Sequence, residues 1–246
     1  MARVSTTSAS AADRARRAAD LVRRLGGRYS TQLGIDVDAG DDEVERWFLA
    51  ATLFGTRISA TVAMRTFAVL DAAGVGRVAD AGQRTWDELV ALLDAGGYAR
   101  YDFRTATRLQ RLAAEICDRF GGRAASIGRR CEGPADLVAT LDGLPGWGPV
   151  TVGLFLRELR GTWAAADVPV DRRAAWAAEH LDLLTGPAAH PDRVLAALAT
   201  LATRAGVDLR DLESALVRAA LGHRGTGAHA AASCPGGGRC HVLAGP

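Results

Sequence analysis

The stretch Leu144-Pro145-Gly146-Trp147-Gly148 is the most informative in the chain. Two glycines two residues apart allow a tight turn and a close approach of backbone to another molecule. Pro149 follows, and its missing N–H costs nothing in the first turn of a helix. The exposed amides of such a helix start favour a phosphate. From the residues alone, the stretch is either a plain helix–helix turn or a phosphate-binding hairpin. Asp171, before Arg172-Arg173-Ala174-Ala175-Trp176, has the pattern of a helix N-cap. The pairs Arg129-Arg130 and Arg172-Arg173 are either phosphate contacts or solvated faces. His223, His229, Cys234, Cys240 and His241 gather in the C-terminal tail. They are zinc-ligand types, but their spacings match no standard zinc pattern, so no metal site is expected there. Cys117 reads as a small core residue within a helix, and Cys131 as structural rather than reactive.

These residues need a frame, and helical signals supply it along the whole chain. Helices are expected over Asp13 to Leu25, Asp41 to Leu53 and Ile58 to Ala73. A capping-box pattern, Thr85-Trp86-Asp87-Glu88, opens the next, which runs to Ala95. Arg100 to Phe120 is a long amphipathic helix, and Pro134 to Leu141 is a short one. Pro149 to Leu159 follows the Gly-rich turn. Asp171 to Leu184, Asp192 to Ala205 and Leu209 to Leu221 complete the set. Gly26-Gly27, Gly74, Gly96-Gly97 and Gly121-Gly122 mark stops. No segment alternates with a two-residue period, so the fold class is all-α.

Composition narrows the function classes. Apolar residues make up 48% of the 246 residues, enough to bury a real core. Charged residues run the length of the chain, which argues against disorder. No apolar run has the length of a membrane span. Residues 1–12 are small and polar, without a signal-peptide core, and read as a disordered tail of a cytoplasmic protein. The net charge of +2 does not announce a nucleic-acid binder. All 30 Lys-plus-Arg positions are Arg, a bias that a GC-rich genome produces. It has a chemical consequence all the same: no lysine amine exists to form a Schiff base.

Leu144-Pro145-Gly146-Trp147-Gly148-Pro149-Val150-Thr151-Val152-Gly153 resembles the Leu-Pro-Gly-Val-Gly-x-x-Thr-Ala hairpin of the endonuclease III and adenine-mismatch glycosylase families. These belong to the helix-hairpin-helix (HhH-GPD) DNA glycosylase superfamily. Pro169-Val170-Asp171-Arg172-Arg173 is similar to the Val-Asp-Thr-His-like segment downstream. Leu53-Phe54-Gly55-Thr56-Arg57-Ile58-Ser59 resembles the segment that enters the duplex beside the target base, and Gly96-Gly97-Tyr98 resembles the family pattern before a basic helix. With gaps, the resemblance runs from about Asp41 to His223.

The resemblance implies a two-domain helical architecture with a DNA cleft between the domains. A central domain would span 41–160, with the helix-hairpin-helix at 136–159. Residues 13–40 and 161–222 would form the terminal domain, and 223–246 a tail. It implies a monomer that binds duplex DNA, in a bacterial cytoplasm and associated with the nucleoid. The hairpin Leu144, Gly146, Trp147, Gly148, Val150 and Thr151 would hold a phosphate, with a monovalent cation when DNA is bound. Trp147 would either pack under the turn or lie against the backbone of the DNA, and packing is favoured. Thr56 and Arg57 would fill the gap left by a flipped base, unless they are a solvated helix end; Arg172 and Arg173 would contact phosphates. Tyr98, Tyr101 and Asp102, with Arg104, would line the base pocket, the tyrosines alternatively being ordinary packing residues. Asp171 would stabilise an oxocarbenium-like sugar and help activate water, in addition to capping its helix. Asp167 is the second candidate for that role.

Two departures from the family refine the expectation. Bifunctional members carry a lysine where this chain has Val150, so lysine-based strand cleavage is excluded and a monofunctional hydrolase is implied. The family's iron–sulfur cluster needs four cysteines; Cys234 and Cys240 fall on two of these places, and Arg224 and Ala231 on the others. No [4Fe–4S] cluster is therefore expected, and the cofactor expectation is none. A non-catalytic DNA-binding relative is the alternative function.

Overall fold

The computed structural model describes residues 10–56, 58–184, 191–223 and 234. All regular structure among them is helical. In chain order the helices are α1 (Ala11–Leu25), α2 (Tyr29–Gln32), α3 (Asp41–Phe54), α4 (Ala60–Ala72), α5 (Val78–Ala81), α6 (Trp86–Gly96), α7 (Asp102–Phe120), α8 (Ile127–Arg130), α9 (Pro134–Asp142), α10 (Pro149–Glu158), α11 (Arg172–His180), α12 (Pro191–Ala205) and α13 (Leu209–Gly222). The long helices lie where periodicity and capping residues put them. The Thr85–Glu88 capping box forms in both directions. Gly97 and Gly121 end α6 and α7 in the left-handed conformation, where a side chain would be strained. The four-residue helices α2, α5 and α8 had no sequence signal, because one turn is too short to show a period.

The chain divides into two compact units, one from Tyr29 to Val168, the other from the described residues up to Arg28 and from Pro169 onward. The expected boundaries at 40/41 and 160/161 therefore shift by 12 and 8 residues. Packing explains both shifts. Tyr29, Ile35 and Val37 enter the core of the larger unit, as do Trp163, Ala165, Ala166 and Val168.

In the larger unit α3 is the buried axis. Every residue from Val44 to Leu53 except Arg46 is buried, so its apolar run has no amphipathic stripe. Helices α4, α5 and α10 pack against it. Two buried glutamates stitch segments that periodicity cannot relate. The Glu45 carboxylate accepts the Ala125 N–H at 2.8 Å. Glu158, at the end of α10, accepts the N–H groups of Tyr29 and Ser30, each at 2.9 Å. It thereby caps the first turn of α2, whose donors would otherwise be buried without partners. Burial pushes both carboxyls above the ordinary range.

The smaller unit packs α1 on α12 and α13, and α11 on α13. Its core mixes Leu21, Leu198, Leu212 and Leu216 with Ala18, Ala174, Ala178 and Ala215, small residues that let helices approach closely. Arg218 donates to the carbonyls of Leu25 and Gly27, at 3.0 and 2.8 Å, and fastens the end of α1 to α13. Helix α11 stops at His180, short of the expected Leu184. The chain turns there because Asp182 takes a positive φ of 51° and the Leu183 N–H returns to the Ala178 carbonyl. The tail expectations for 1–9, 224–233 and 235–246 lie outside the described residues. No helix among the described residues is long and apolar enough to cross a membrane.

Removing the Glu158 carboxylate should be costly. Glu158→Ala leaves two buried amides unpaired, at about 1–3 kcal/mol each, so a loss of about 2–6 kcal/mol is expected in urea unfolding. Because burial raises the Glu158 carboxyl, its contribution is full below its unfolded value and declines as pH rises through the folded one. Glu158→Gln should flatten that decline in a stability-versus-pH series.

Candidate nucleic-acid interface

The Gly-rich turn joins α9 to α10 within the larger unit, and a tryptophan sets its position. Trp147 is buried, stacks on Phe48 with ring centroids 4.4 Å apart, and meets Phe155 edge-on at 5.2 Å. Its indole N–H donates to the Thr52 hydroxyl at 3.1 Å. With Trp147 held below, Gly146 is pushed to the surface at φ +80°. The Trp147 N–H closes the turn onto the Leu144 carbonyl at 3.0 Å. Gly148 begins α10 without a capping side chain, so the amides at the start of that helix are left for solvent or a ligand.

Arg108, from α7, lies across the turn. A Cβ on Gly146 would overlap the Arg108 Cδ, so glycine is required there for space as well as for φ. The far end of Arg108 donates to the Thr56 hydroxyl at 2.9 Å. Its Nε is buried without a hydrogen-bond partner, and burial lowers the guanidinium's pKa. The loop after α3 closes in from the other side, where a Cβ on Gly55 would overlap the Thr151 hydroxyl.

These parts enclose a cleft of about 810 Å³. One wall is the turn from Pro145 to Thr151, another is Gly55 and Thr56, and the third is the face of α7 that carries Tyr101, Arg104, Arg108 and Arg111. Arg104, Arg108 and Arg111 follow the i, i+4, i+7 spacing of one helical face. No carboxylate lines the cleft, and among the described residues no acid pairs with any of the three arginines. Other arginines are neutralised in place, as Arg46 is by Glu43 and Asp71, and Arg77 by Asp80. The cleft therefore concentrates positive charge that the net value of +2 conceals. Backbone amides, a glycine at the rim and a row of guanidinium groups are the donors that an anion of phosphate type would use.

Thr56, Tyr101 and the hairpin line the same cleft. The structure assigns the hairpin residues unequal parts. Leu144, Trp147 and Thr151 have buried side chains, so only their backbone can meet a ligand, whereas Val150 is 55% exposed. Tyr98 does not line the cleft. It is buried, donates its hydroxyl to the Leu53 carbonyl, and is pushed up to about 12 by desolvation. Its role is to hold the end of α3 beside Thr56. Asp102 also stands outside the cleft lining, with its carboxylate accepting the Phe103 N–H at the start of α7. Arg57 lies outside the described residues. Arg108 and Arg111 were not singled out from sequence, although the spacing of arginines along α7 was there to be read.

The two candidate carboxylates fall in different units. Asp171 caps α11 in the smaller unit, accepting the Arg173 N–H at 2.7 Å, with Arg172 and Arg173 exposed beside it. Asp167 is in the larger unit and 66% exposed, 3.9 Å from the buried Arg160. Arg160 mainly holds the backbone, donating to the Val168 carbonyl at 2.7 Å. Compared with known proteins, the chain matches no family model and no curated relative.

The two glycines of the turn should respond differently to a methyl group. Gly146→Ala must displace Arg108 and occupy a left-handed conformation that costs about 1–2 kcal/mol. It should lower the melting temperature and weaken anion binding together. A Cβ on Gly148 meets nothing within 4 Å, so Gly148→Ala should leave stability nearly unchanged, and any loss of affinity reports the approach of the ligand. Thermal melts paired with binding isotherms for both variants check this.

Proposed function

We propose that the protein binds duplex DNA through the hairpin cleft and hydrolyses the N-glycosidic bond of a damaged or modified base. The carrying observation is the union, in one cleft, of the Gly146–Gly148 turn with Arg104, Arg108 and Arg111, none of them neutralised by an acid among the described residues. The resemblance to the helix-hairpin-helix glycosylases turns this anion site into a specific reading. The turn's amides and the arginines hold the phosphates of one strand, with a monovalent cation at the hairpin when DNA is bound. The target nucleotide leaves the stack, because its glycosidic bond is out of reach inside the duplex. Thr56 and Arg57 support the vacated place. Asp171 stabilises the developing sugar cation and orients water, and the Asp171 carboxylate keeps its capping bond to Arg173 while doing so. With no lysine in the chain the product is an intact abasic site.

DNA binding should weaken steeply with salt. Each of Arg104→Ala, Arg108→Ala and Arg111→Ala should reduce the slope of log affinity against log salt by about one, and affinity should fall alike for all duplex sequences. Salt-independent binding, or none, counts against the whole reading.

Base release is tested on a panel of modified-base duplexes, with alkali to reveal abasic sites. Asp171→Asn should retain binding and lose rate by about a hundred- to a thousand-fold. If only Asp167→Asn abolishes release, the catalytic carboxylate is Asp167. If neither does, or the unaltered protein releases no base yet binds, the chain is a non-catalytic DNA-binding protein. Borohydride should trap no lysine-linked adduct.

A further inference from the structure

We propose a mononuclear zinc site formed by His180, His223 and Cys234 in the smaller unit. His180 ends α11, and His223 is the C-cap of α13. Cys234 lies 11 residues beyond His223 and is buried against this pair. One ligand atom from each residue lies within 4.8 Å of the other two. The Cys234 Sγ is 3.4 Å from the His180 Nε2. Two atoms bound to one tetrahedral zinc, at about 2.3 Å for sulfur and 2.0–2.1 Å for nitrogen, stand about 3.6 Å apart; the Cys234–His180 pair is already at that spacing, and the set, within 4.8 Å, needs to close by about 1 Å at most.

The surroundings support a cation rather than a chance meeting of polar side chains. The two imidazoles stand edge to face, with ring centroids 4.6 Å apart. Trp176 stacks on His180 at 4.8 Å and meets His223 edge-on at 5.2 Å, so one indole orients both rings. Both histidines sit at helix C-termini, where the partial negative charge of the terminal carbonyls attracts a cation. The set of one thiolate and two imidazoles selects zinc over the hard cations calcium and magnesium. Binding releases the thiol proton, and the fourth coordination position is left to water or a further donor. Such an ion joins the ends of α11 and α13 to the chain at Cys234, and so steadies the helix that begins at Asp171. The sequence concealed the site because its ligands are spaced by 43 and 11 residues, which no standard zinc pattern contains. The site does not depend on the glycosylase reading.

The untagged full chain, stripped with chelator, should bind one equivalent of zinc in a competition titration against a chromogenic chelator. Cobalt in its place should give the visible bands of a tetrahedral site and a thiolate charge-transfer band. Changing a residue that merely supports a zinc ligand already costs about 10–100-fold in affinity. His180→Ala, His223→Ala and Cys234→Ser should therefore each weaken binding by at least about a hundredfold, and Cys131→Ser should not. Cys234→Ser should also abolish the charge-transfer band. In the unaltered chain, zinc should slow alkylation of Cys234 while leaving the exposed Cys117 as reactive as before. This last readout needs no variant, so the proposal stays testable if a variant fails to fold. Absence of stoichiometric zinc, zinc that survives His180→Ala, iron in place of zinc after anaerobic purification, or Cys234 alkylation indifferent to zinc would each overturn it.

Discussion

Trp147 lies beneath the α9–α10 turn with its ring on Phe48, its edge toward Phe155 and its N–H on Thr52. Most features of the cleft depend on this seating. An aromatic body buried at this point anchors a turn that is otherwise small residues and proline, and it does so at low entropic cost because the ring has few rotamers. With the indole fixed, Gly146 must face outward in the left-handed conformation, and Arg108 can cross above it. Thr52, which accepts from the indole, lies four residues before Thr56, which accepts from Arg108. The last turn of α3 and the loop that follows it thus support the floor and the rim of the cleft.

Charge is distributed by pairing rather than by total. Acids at the start of α3 and arginines after α7 and on α8 neutralise one another locally, as in Arg123 with Asp42 and Arg129 with Asp41. Exposed pairs of this kind add little stability, but they leave Arg104, Arg108 and Arg111 as a row of positive charge beside the hairpin with no acidic partner among the described residues. Arg108 is partly desolvated as well, and an anion in the cleft would supply the counter-charge that burial has denied it. This electrostatic arrangement supports a phosphate ligand, and the resemblance to the helix-hairpin-helix glycosylases is what extends it to DNA and base release.

The smaller unit is built on a different plan. Its helices are rich in alanine, and side-chain hydrogen bonds to backbone carbonyls fix its joints. Helix α11 is only 9 residues long and carries a capping carboxylate at one end and His180 at the other. A helix so short draws its stability from its ends and its packing, which is why the aromatic and imidazole cluster at Trp176, His180 and His223 matters to the position of Asp171.

The sequence by itself determined the helical class, the long helices with most of their ends, the glycine turn and the cap at Asp171. These are local properties: a 3.6-residue period, a side-chain oxygen one turn from an amide, or a glycine where φ is positive. The absence of lysine from these 246 residues is legible there as well. Tertiary structure alone decided which named residues present their side chains. Tyr98, Leu144, Trp147 and Thr151 went to the core, while Tyr101, Arg104, Arg108 and Arg111 reached the cleft. It also decided where the units divide, since Glu158 recruits Tyr29 and Ser30 from 129 and 128 residues away. The meeting of His180 with Cys234 across 54 residues is of the same kind. Contacts at such separations depend on how helices pack, and helix packing leaves no period or spacing in the chain to read.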